Sequence, residues 1–163
     1  MLSSINGNLK GFSYEEGYIR TSSSKYSLKN LTNRLVHLTN DSVQKESEDY
    51  GKYEKGNKLG YEEFQTYLDK NYYALNICFE RDILPQIKKL TADCFRAVWG
   101  KIDPLKRSNA FELYGLDFML DDKFKVYLIE VNTNPDLQVK ESPLLSRLIP
   151  SVLENTFQLA VDS

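Results

Sequence analysis

The sequence predicts an α+β domain with an antiparallel sheet and packed helices. Apolar residues recur at helical spacing between residues 80 and 99. Between residues 111 and 135, two runs of β-branched and aromatic residues flank a short polar turn, which is typical of a β-hairpin. Strands and helices come in separate runs and do not alternate, so the class is α+β. At 163 residues the chain has the length of a single domain that can bury a core.

Two short strands are predicted near the N-terminus, at Tyr18–Thr21 and Leu35–Leu38. A loop rich in Ser, Asn and Lys separates them. A second polar loop, Asn40–Gly60, is punctuated by glycines. This segment is too long to be an idle connection, and loops of that length usually carry function or stay mobile.

Two helices are predicted next, at Tyr61–Tyr73 and Glu80–Trp99. Pro85 is compatible with the second helix only in its first turn, because a proline further in would remove a backbone hydrogen bond. The residues that repeat at helical spacing in the second helix are Ile83, Leu84, Ile87, Leu90, Cys94 and Val98.

The hairpin at Phe111–Pro135 carries three oxygen-bearing side chains within runs that are otherwise apolar. Glu130 and Asn132 are two residues apart, so in a strand they project from one face. If Asp117 lies opposite Glu130, the turn falls at Asp122–Lys125, where the polar residues are. The three side chains would then supply hard oxygen ligands for magnesium. A carboxylate pair that merely faces solvent at a sheet edge is the alternative.

A last helix is predicted after the hairpin. Ser142 is suited to the N-cap and Pro143 to the first turn. Pro150 lies inside the same apolar pattern, so we expect it to kink or split this helix.

Composition and charge exclude several classes of protein. The formal net charge is −2, which produces no global field for nucleic acid. No apolar run reaches membrane-spanning length, and the N-terminal residues lack the apolar core of a signal peptide. The two cysteines, Cys78 and Cys94, fall in predicted helices without a metal-binding spacing. We therefore expect buried free thiols in a reducing, cytosolic compartment.

The segment Gly17–Asn40 contains no Asp or Glu and four cationic residues, Arg20, Lys25, Lys29 and Arg34. Such a segment suits an anionic ligand, and the planar guanidinium of Arg20 matches carboxylate or phosphate best. A solvated basic face is the alternative explanation of the same pattern.

The only histidine of the chain begins the tetrad His37-Leu38-Thr39-Asn40. A single histidine beside apolar residues is usually a hydrogen-bonded structural group, and a general base is the less common alternative. The backbone and hydroxyl groups of the tetrad could instead line a nucleotide pocket.

Several motifs occur together in a familiar order and spacing. They are Gly17–Thr21, His37–Asn40, Gln44-Lys45, Tyr50–Glu54, Glu63-Phe64, Tyr67-Leu68 and Phe111–Pro135. In this order they resemble the tubulin–tyrosine ligase and ligase-like family, and the resemblance covers nearly the whole chain. It implies that residues 1–163 form a single domain, the C-terminal portion of an ATP-grasp fold.

The resemblance also implies an activity. Members of the family are ATP-dependent ligases that add tyrosine, glutamate or glycine to the tails of tubulin. ATP phosphorylates a tail carboxylate, and the amine of a free amino acid then displaces phosphate from the acyl-phosphate intermediate. The implied partners are the acidic C-terminal tail of tubulin and the free amino acid, with no nucleic acid and no membrane.

Carried over residue by residue, the resemblance assigns a site for ATP and Mg²⁺. The implied magnesium ligands are Asp117, Glu130 and Asn132. The implied nucleotide-lining segment is His37, Leu38, Thr39 and Asn40. Arg20 matches a catalytic arginine near the phosphates and the reacting carboxylate, where positive charge is needed to bring two anions together.

The N-terminal half of the ATP-grasp domain is expected to be absent from this sequence. We therefore expect the isolated chain to bind ATP poorly and not to turn over. A non-catalytic tubulin- or nucleotide-binding fragment is the alternative function. An ATP-grasp ligase for small metabolites would fit the hairpin but not the block from His37 to Tyr53.

The amino acid that is transferred is left open by conflicting signals. The loop from Gln44 to Gly60 is closest to the tyrosine-adding members, whereas Asn132-Thr133-Asn134-Pro135 is closer to the glutamate- and glycine-adding ones. Tyrosination and glutamylation therefore both stay open. The expected location is the cytoplasm and the microtubule cytoskeleton, with the cilium or basal body as a more specific candidate.

Overall fold

The computed structural model describes residues 1–5, 7–139 and 142–161. These residues form seven strands in three small antiparallel sheets, together with five α-helices, which confirms the predicted α+β class. The strands are β1 (Leu2–Ile5), β2 (Asn8–Gly11), β3 (Ile19–Arg20), β4 (Lys58–Leu59), β5 (Asn109–Glu112), β6 (Gly115–Leu120) and β7 (Val126–Asn132). The helices are α1 (Arg34–His37), α2 (Asp41–Gln44), α3 (Tyr61–Asn71), α4 (Leu84–Ile102) and α5 (Pro143–Ala160). No helix within these described ranges is both long enough and apolar enough to cross a bilayer.

A three-stranded sheet in the order β2-β1-β5 was not expected from the sequence. Its strands β1 and β2 pair antiparallel, with Ile5 opposite Asn8. Gly7 has a φ of +75°, a conformation that side chains disfavour. The central strand β1 also pairs with β5, far away along the chain, so the N-terminus is tied into the fold.

The ribbon β3–β4 confirms the strand predicted at Tyr18–Thr21. The strand predicted at Leu35–Leu38 is wrong, because Arg34–His37 forms the short helix α1. The Asn33 side chain accepts a hydrogen bond from Leu35 N at 3.1 Å and caps this turn.

The predicted loop Asn40–Gly60 is folded by a buried polar network. It contains α2, a 3₁₀ turn at Lys55–Asn57 and β4. Gln44 is completely buried, and its side-chain oxygen accepts from Ser23 N at 2.7 Å. The Asn57 amide donates to Ser23 Oγ at 2.9 Å. Because these buried groups satisfy one another, they hold the loop against the segment that follows β3.

The two central helices were predicted correctly in position. At the start of α3, Gly60 N donates to Glu63 Oε2 at 2.7 Å. A π-helical turn at Phe79–Ile83 leads into α4, and Pro85 lies in its first turn as expected. Cys94 lies in α4, but Cys78 precedes the π-helical turn, so the prediction that both cysteines are helical is wrong for Cys78. Both thiols are free and half-buried.

The main core lies between α3, the π-helical turn and β7. Its buried members are Phe64, Leu68, Phe79, Ile83 and Val126. Helix α4 packs on β7, yet none of the 19 residues of α4 is fully buried. One side of this long amphipathic helix therefore remains partly open to solvent.

Helix α5 begins as predicted, with Ser142 Oγ accepting from Leu145 N at 3.3 Å. The expected split at Pro150 is not found, because α5 is assigned as one helix that passes through the proline. Leu145 and Leu148 are buried on one face of the helix, and Pro150 is exposed. Packing of the apolar face stabilises the helical turn at Pro150, where the proline lacks a backbone N–H donor.

Candidate functional site

The hairpin β6–β7 has the predicted register, with Asp117 opposite Glu130 and Gly115 opposite Asn132. Its turn is fixed by Asp121, whose Oδ1 accepts from the backbone N–H groups of residues 123 and 125 at 2.9 Å each. The pairing shifts after Asp117, so that Ile129 is an extra residue in β7. A bulge of this kind re-aims the side chains beside it.

The three candidate metal ligands are brought together on this hairpin. Asn132 Nδ2 lies 3.4 Å from Glu130 Oε1, and Asp117 is the register partner of Glu130. A Cβ at Gly115 would lie 3.0 Å from the Pro135 Cβ, so glycine lets the chain after β7 fold back beside Asn132. Two carboxylates and one amide oxygen are hard donors that fit Mg²⁺.

Binding of a metal ion by this trio would require the amide oxygen of Asn132. In the described ranges, no group of three or more His, Cys, Asp or Glu side chains is placed to hold a metal ion. Glu130 is exposed and Asn132 is half-buried, so both have side-chain oxygens within reach of an ion from solvent. The donor set is therefore open and incomplete by itself, as expected for magnesium, which keeps several water ligands.

Arg20 lies against this trio. Its Nη2 donates to Asp117 Oδ1 at 2.9 Å and to Oδ2 at 3.1 Å. The Arg20 and Asp117 side chains are 28% and 35% exposed, so the pair is partly desolvated but still reachable. Because the contacts to Asp117 use one nitrogen of the guanidinium, the other donors of Arg20 can bind an anion.

The same ribbon carries a second cation, Lys58, that was not predicted from the sequence. Lys58 is the register partner of Arg20, so the two side chains share one face. The Lys58 side chain is only 4% exposed, and its Nζ donates to both oxygens of Asp41 at 2.7 Å. Gly56 O accepts a third hydrogen bond at 3.1 Å. Each cation of the ribbon thus has its own carboxylate, which offsets their mutual repulsion.

The tetrad His37–Asn40 is joined to Arg20 indirectly. Its last residue is followed directly by Asp41. Asp41 forms an ion pair with Lys58, and Lys58 is the register partner of Arg20. The imidazole of His37 is used locally, since its Nε2 lies 3.0 Å from the Asn30 carbonyl oxygen. The contacts therefore favour the structural role for His37 over general-base duty, whereas the role of the tetrad in nucleotide binding stays a prediction.

Tyr18 adds a neutral hydrogen-bonding group beside these charges. Burial raises the pKa of the Tyr18 phenol; Arg20 lowers it, while Asp117 and Asp41 raise it further. The Arg20 guanidinium lies 6.0 Å from the centre of the Tyr18 ring. The phenol is therefore protonated at physiological pH and can donate to an anionic ligand.

Gln86 positions the hairpin relative to α4. Its Nε2 donates to Phe124 O at 3.0 Å, and its Oε1 accepts from Val126 N at 3.1 Å. The amide thereby binds the end of the β6–β7 turn and the first residue of β7. A polar residue inside the apolar pattern of a helix was the only sequence signal for this role, and it was not recognised.

The elements together define a class of site. A ribbon with two paired cations faces a hairpin of oxygen donors, and an arginine connects them. Such an arrangement is suited to an anionic ligand that is bound together with a hard cation.

Comparison with protein families supports a site of this kind. The chain belongs to the tubulin-tyrosine ligase family, whose family model matches residues 1–163. The family is ATP-grasp-like, in agreement with the resemblance inferred from the motifs.

Three similar proteins illustrate the relationship. Tubulin glycylase 3A of Drosophila melanogaster is 37% identical over 153 residues, which cover 91% of this chain and 15% of that protein. Tubulin glycylase 3B of Tetrahymena thermophila is 32% identical over 149 residues, which cover 91% of this chain and 12% of that protein. Human Protein monoglycylase TTLL8 is 33% identical, with 91% and 17% covered. The chain therefore spans less than a fifth of the length of these relatives.

Proposed function

We propose that this chain forms part of the active site of an ATP-dependent ligase that attaches glycine to tubulin. The observation that carries the proposal is the Arg20–Asp117 pair within the oxygen-donor hairpin, in a member of the tubulin-tyrosine ligase family. Glycine is favoured over tyrosine and glutamate because the three relatives named above are glycylases by name.

The proposed reaction joins a carboxylate to an amine at the expense of ATP. The γ-phosphoryl group moves to a carboxylate oxygen of the tubulin tail, which forms an acyl phosphate and releases ADP. The glycine amine then attacks the acyl carbon, the carbon–oxygen bond to phosphate breaks, and the nitrogen loses a proton. ATP supplies the activation, so the chain has no need of a nucleophilic side chain.

The role of Arg20 follows from charge. A carboxylate and a triphosphate repel each other, and a fixed guanidinium between them lowers the energy of their approach. Asp117 orients Arg20 through the contacts at 2.9 and 3.1 Å. We therefore assign Arg20 to the reacting carboxylate and the transferred phosphoryl group.

Asp117, Glu130 and Asn132 would hold Mg²⁺ in this proposal. The bound ion would neutralise charge on the phosphates during transfer. Asp117 has two oxygens and four lone-pair directions, so it can serve both Arg20 and a cation. The hairpin register fixes the spacing of the donors before any ligand arrives.

The tetrad His37–Asn40 is the proposed wall of the nucleotide site. Its position is set by the Lys58–Asp41 pair and by the buried Gln44, whose Nε2 donates to Leu38 O at 2.5 Å. The proposed partners are the acidic tail of tubulin and free glycine. The proposed location is the microtubule cytoskeleton, and a cilium or basal body is the more specific proposal.

A chimeric enzyme tests the assignment of the site. The matching segment of Drosophila tubulin glycylase 3A is replaced by this chain, and glycylation of tubulin is measured with Mg-ATP and labelled glycine. Glu130→Gln in the chimera is expected to lower turnover about 100-fold, since it removes a charged metal ligand. Glu62→Gln, an exposed change on α3, is the matched control and should leave turnover unchanged. Equal activity of both variants would remove Glu130 from the site.

Titration of Mg-ATP into the isolated chain tests the alternative of a nucleotide-binding fragment. Of the two cations on the ribbon, Lys58 is already saturated by three acceptors, which leaves Arg20 for the phosphates. We therefore expect a Kd weaker than about 0.1 mM. Micromolar affinity by calorimetry would contradict this expectation and favour the nucleotide-binding fragment.

A further inference from the structure

A groove runs between α4 and the N-terminal strands. Its volume is about 760 Å³, which lies within the range of clefts that hold small molecules. Its lining is mostly apolar and includes Leu2, Phe12, Ala92, Phe95 and Trp99. The residues assigned to the ligase site lie outside this lining, so the groove is a separate feature of the molecule.

One wall of the groove is a continuous stripe on α4. Lys88, Ala92, Phe95 and Trp99 follow one another at intervals of four, three and four residues, which is the spacing of neighbours on one helix face. With a rise of about 1.5 Å per residue, this stripe is about 16 Å long. The small side chain of Ala92 leaves space over its middle. The stripe therefore has a cation at one end, aromatic rings at the other and room between them.

Both walls are held in place by contacts within the chain. Phe12 N donates to Met1 O at 2.8 Å, and Met1 N donates to Phe12 O at 2.8 Å, which continues the pairing of β1 with β2. On α4, the ring of Phe95 meets the ring of Tyr114 edge-on, with the ring centres 5.1 Å apart. A site that is already formed costs less conformational entropy when a ligand binds.

The charge at the rim of the groove is mainly positive. Lys88 and Arg96 are both exposed and lie eight residues apart on α4. Lys88 forms no ion pair with any residue that the structure describes, and Arg96 has a contact of 3.6 Å with the exposed Asp93. The lining contributes one carboxylate, that of Glu15. An apolar molecule with a single anionic head group therefore complements the groove in both shape and charge.

We propose that this groove is a binding site for a long-chain carboxylate. The head group binds the ammonium of Lys88, and the apolar chain passes over Ala92 towards Trp99. Trp99 and Phe12 are 41% and 36% exposed in the free chain, so binding removes apolar surface from water. The site does not depend on the proposed ligase function, and it can be tested without turnover.

Binding of dodecanoate to the full chain is the test, with Trp99 as an internal reporter. Trp99 is the only tryptophan of the chain, so a change in tryptophan fluorescence comes from the groove. Saturable binding with a Kd below about 1 mM is expected, together with protection of Trp99 from acrylamide. Dodecylamine has the same apolar chain with a cationic head, and it should bind at least about fivefold more weakly because Lys88 repels it.

A charge reversal tests the assignment of the head group. Lys88→Glu is expected to weaken dodecanoate binding about tenfold, because it replaces an attraction by a repulsion. The matched control is Lys29→Glu, the same change at an exposed lysine outside the groove. The control should alter the affinity by less than about twofold, since solvent and salt screen a distant charge.

A second variant tests the shape of the groove without changing its charge. Ala92→Phe fills the middle of the stripe and is expected to weaken dodecanoate binding at least about tenfold, measured by calorimetry. Ala97→Phe makes the same change at an exposed position of α4 outside the lining, and it should alter the affinity by less than about twofold. Circular dichroism and the urea midpoint of each variant verify that the chain remains folded.

Four results would each overturn the proposal. They are the absence of saturable binding, equal affinity for dodecanoate and dodecylamine, equal weakening by Lys88→Glu and Lys29→Glu, and unchanged affinity in a folded Ala92→Phe variant. If Ala92→Phe does not fold, the comparisons of head group and of charge reversal decide the proposal by themselves.

Discussion

Arg20 and Lys58 lie opposite each other on a short ribbon, where two like charges on one face would destabilise the pairing. Each is neutralised by a carboxylate from elsewhere in the chain, Asp117 for Arg20 and Asp41 for Lys58. The two pairs differ in burial, since Lys58 is 4% exposed and Arg20 is 28% exposed. The buried pair is suited to holding structure, and the more open pair is suited to exchanging its partner for a ligand.

Lys58→Met is predicted to destabilise the chain by about 2 kcal/mol. The change removes the partner of Asp41 and leaves that carboxylate partly buried, and partial exposure of Asp41 keeps the loss below that of a fully buried pair. The free energy of unfolding in urea measures the effect. Lys52→Met is the control, because Lys52 and Asp49 form a pair that is about half exposed. Its expected loss is much smaller, because solvent screens an exposed ion pair. Equal losses for the two variants would contradict the structural role of Lys58.

At the scale of elements, the sequence predicts the structure correctly where local pattern decides it. The hairpin β6–β7 was predicted with its register, because the polar turn and the alternating runs are contiguous in sequence. Helix α3 was predicted in position, and its first turn is fixed by the local contact between Gly60 N and Glu63 Oε2. These are the cases in which neighbouring residues contain the whole signal.

Elements that depend on distant partners were missed or wrong. Residues 35–38 have the composition of a strand, but Gln44 binds the carbonyl oxygens of Leu35 and Leu38 and favours the helical turn α1. The strand β1 acquires its second partner, β5, only in the folded chain. Local propensity is overridden in both cases by contacts that no sequence window contains.

The π-helical turn before α4 is predicted to make stability depend on pH below about 4. The pKa of Asp82 is lowered to about 2, first by the Arg81 guanidinium and then by the backbone N–H of Cys78. An unfolded Asp titrates at about 3.9, so the stabilisation is complete above about pH 4 and is lost as the pH falls towards about 2. Asp82→Asn should therefore flatten the dependence of the urea midpoint on pH across this range.

Arg81→Ala tests whether the Arg81 guanidinium is the main cause of the lowered pKa of Asp82. It removes the larger contribution to the lowered pKa of Asp82, so it should also flatten the dependence on pH, although less completely. Identical slopes for wild type and both variants would show that Asp82 does not stabilise the π-helical turn before α4.

Pro150→Ala is predicted to stabilise α5 by about 1 kcal/mol or more. The proline is exposed inside a continuous helix, where it removes one backbone hydrogen bond and crowds the preceding turn. Thermal or urea unfolding measures the gain. Pro143→Ala is the matched control at the first helical position, where the missing N–H is not needed, and it should change stability by less than about 0.5 kcal/mol. A loss of stability in Pro150→Ala would show that the proline is required by the packing of α5.

At the scale of the molecule, the candidate site is assembled from segments that the sequence keeps apart. Arg20 and Asp117 are 97 residues apart in the chain and meet in the fold. The trio on the hairpin was predicted from spacing, and Arg20 was predicted as an anion-binding residue from the acid-free segment around it. The family resemblance alone indicated that Arg20 and the trio belong to one site. Lys58, Asp41 and the Gln86 amide contacts were not predicted, because an ion pair or a side-chain hydrogen bond across the fold leaves no periodic signal.

The solvent-facing side of α4 allows a test of which apolar residues contribute most to the stability of the chain. A groove of about 760 Å³ lies between α4 and the first strands, lined by residues that include Leu2, Phe12, Phe95 and Trp99. Trp99 is the only tryptophan of the chain and is 41% exposed, whereas Leu68 in the core is 1% exposed. The apolar pattern of α4 predicts one buried face. Leu84, Ile87 and Leu90 pack against the core as half-buried residues, whereas Phe95 and Trp99 line the groove.

Trp99→Gln is therefore predicted to cost less than about 1 kcal/mol, and Leu68→Ala about 2 to 5 kcal/mol. The difference arises because the core substitution leaves a cavity, whereas the groove already admits water beside Trp99. Urea unfolding followed by circular dichroism compares the variants at low protein concentration, where self-association is negligible. In the wild type, acrylamide should quench the fluorescence of Trp99 efficiently in the folded state. Protection of Trp99 from acrylamide, or a loss in Trp99→Gln as large as that in Leu68→Ala, would show that the groove is closed in solution.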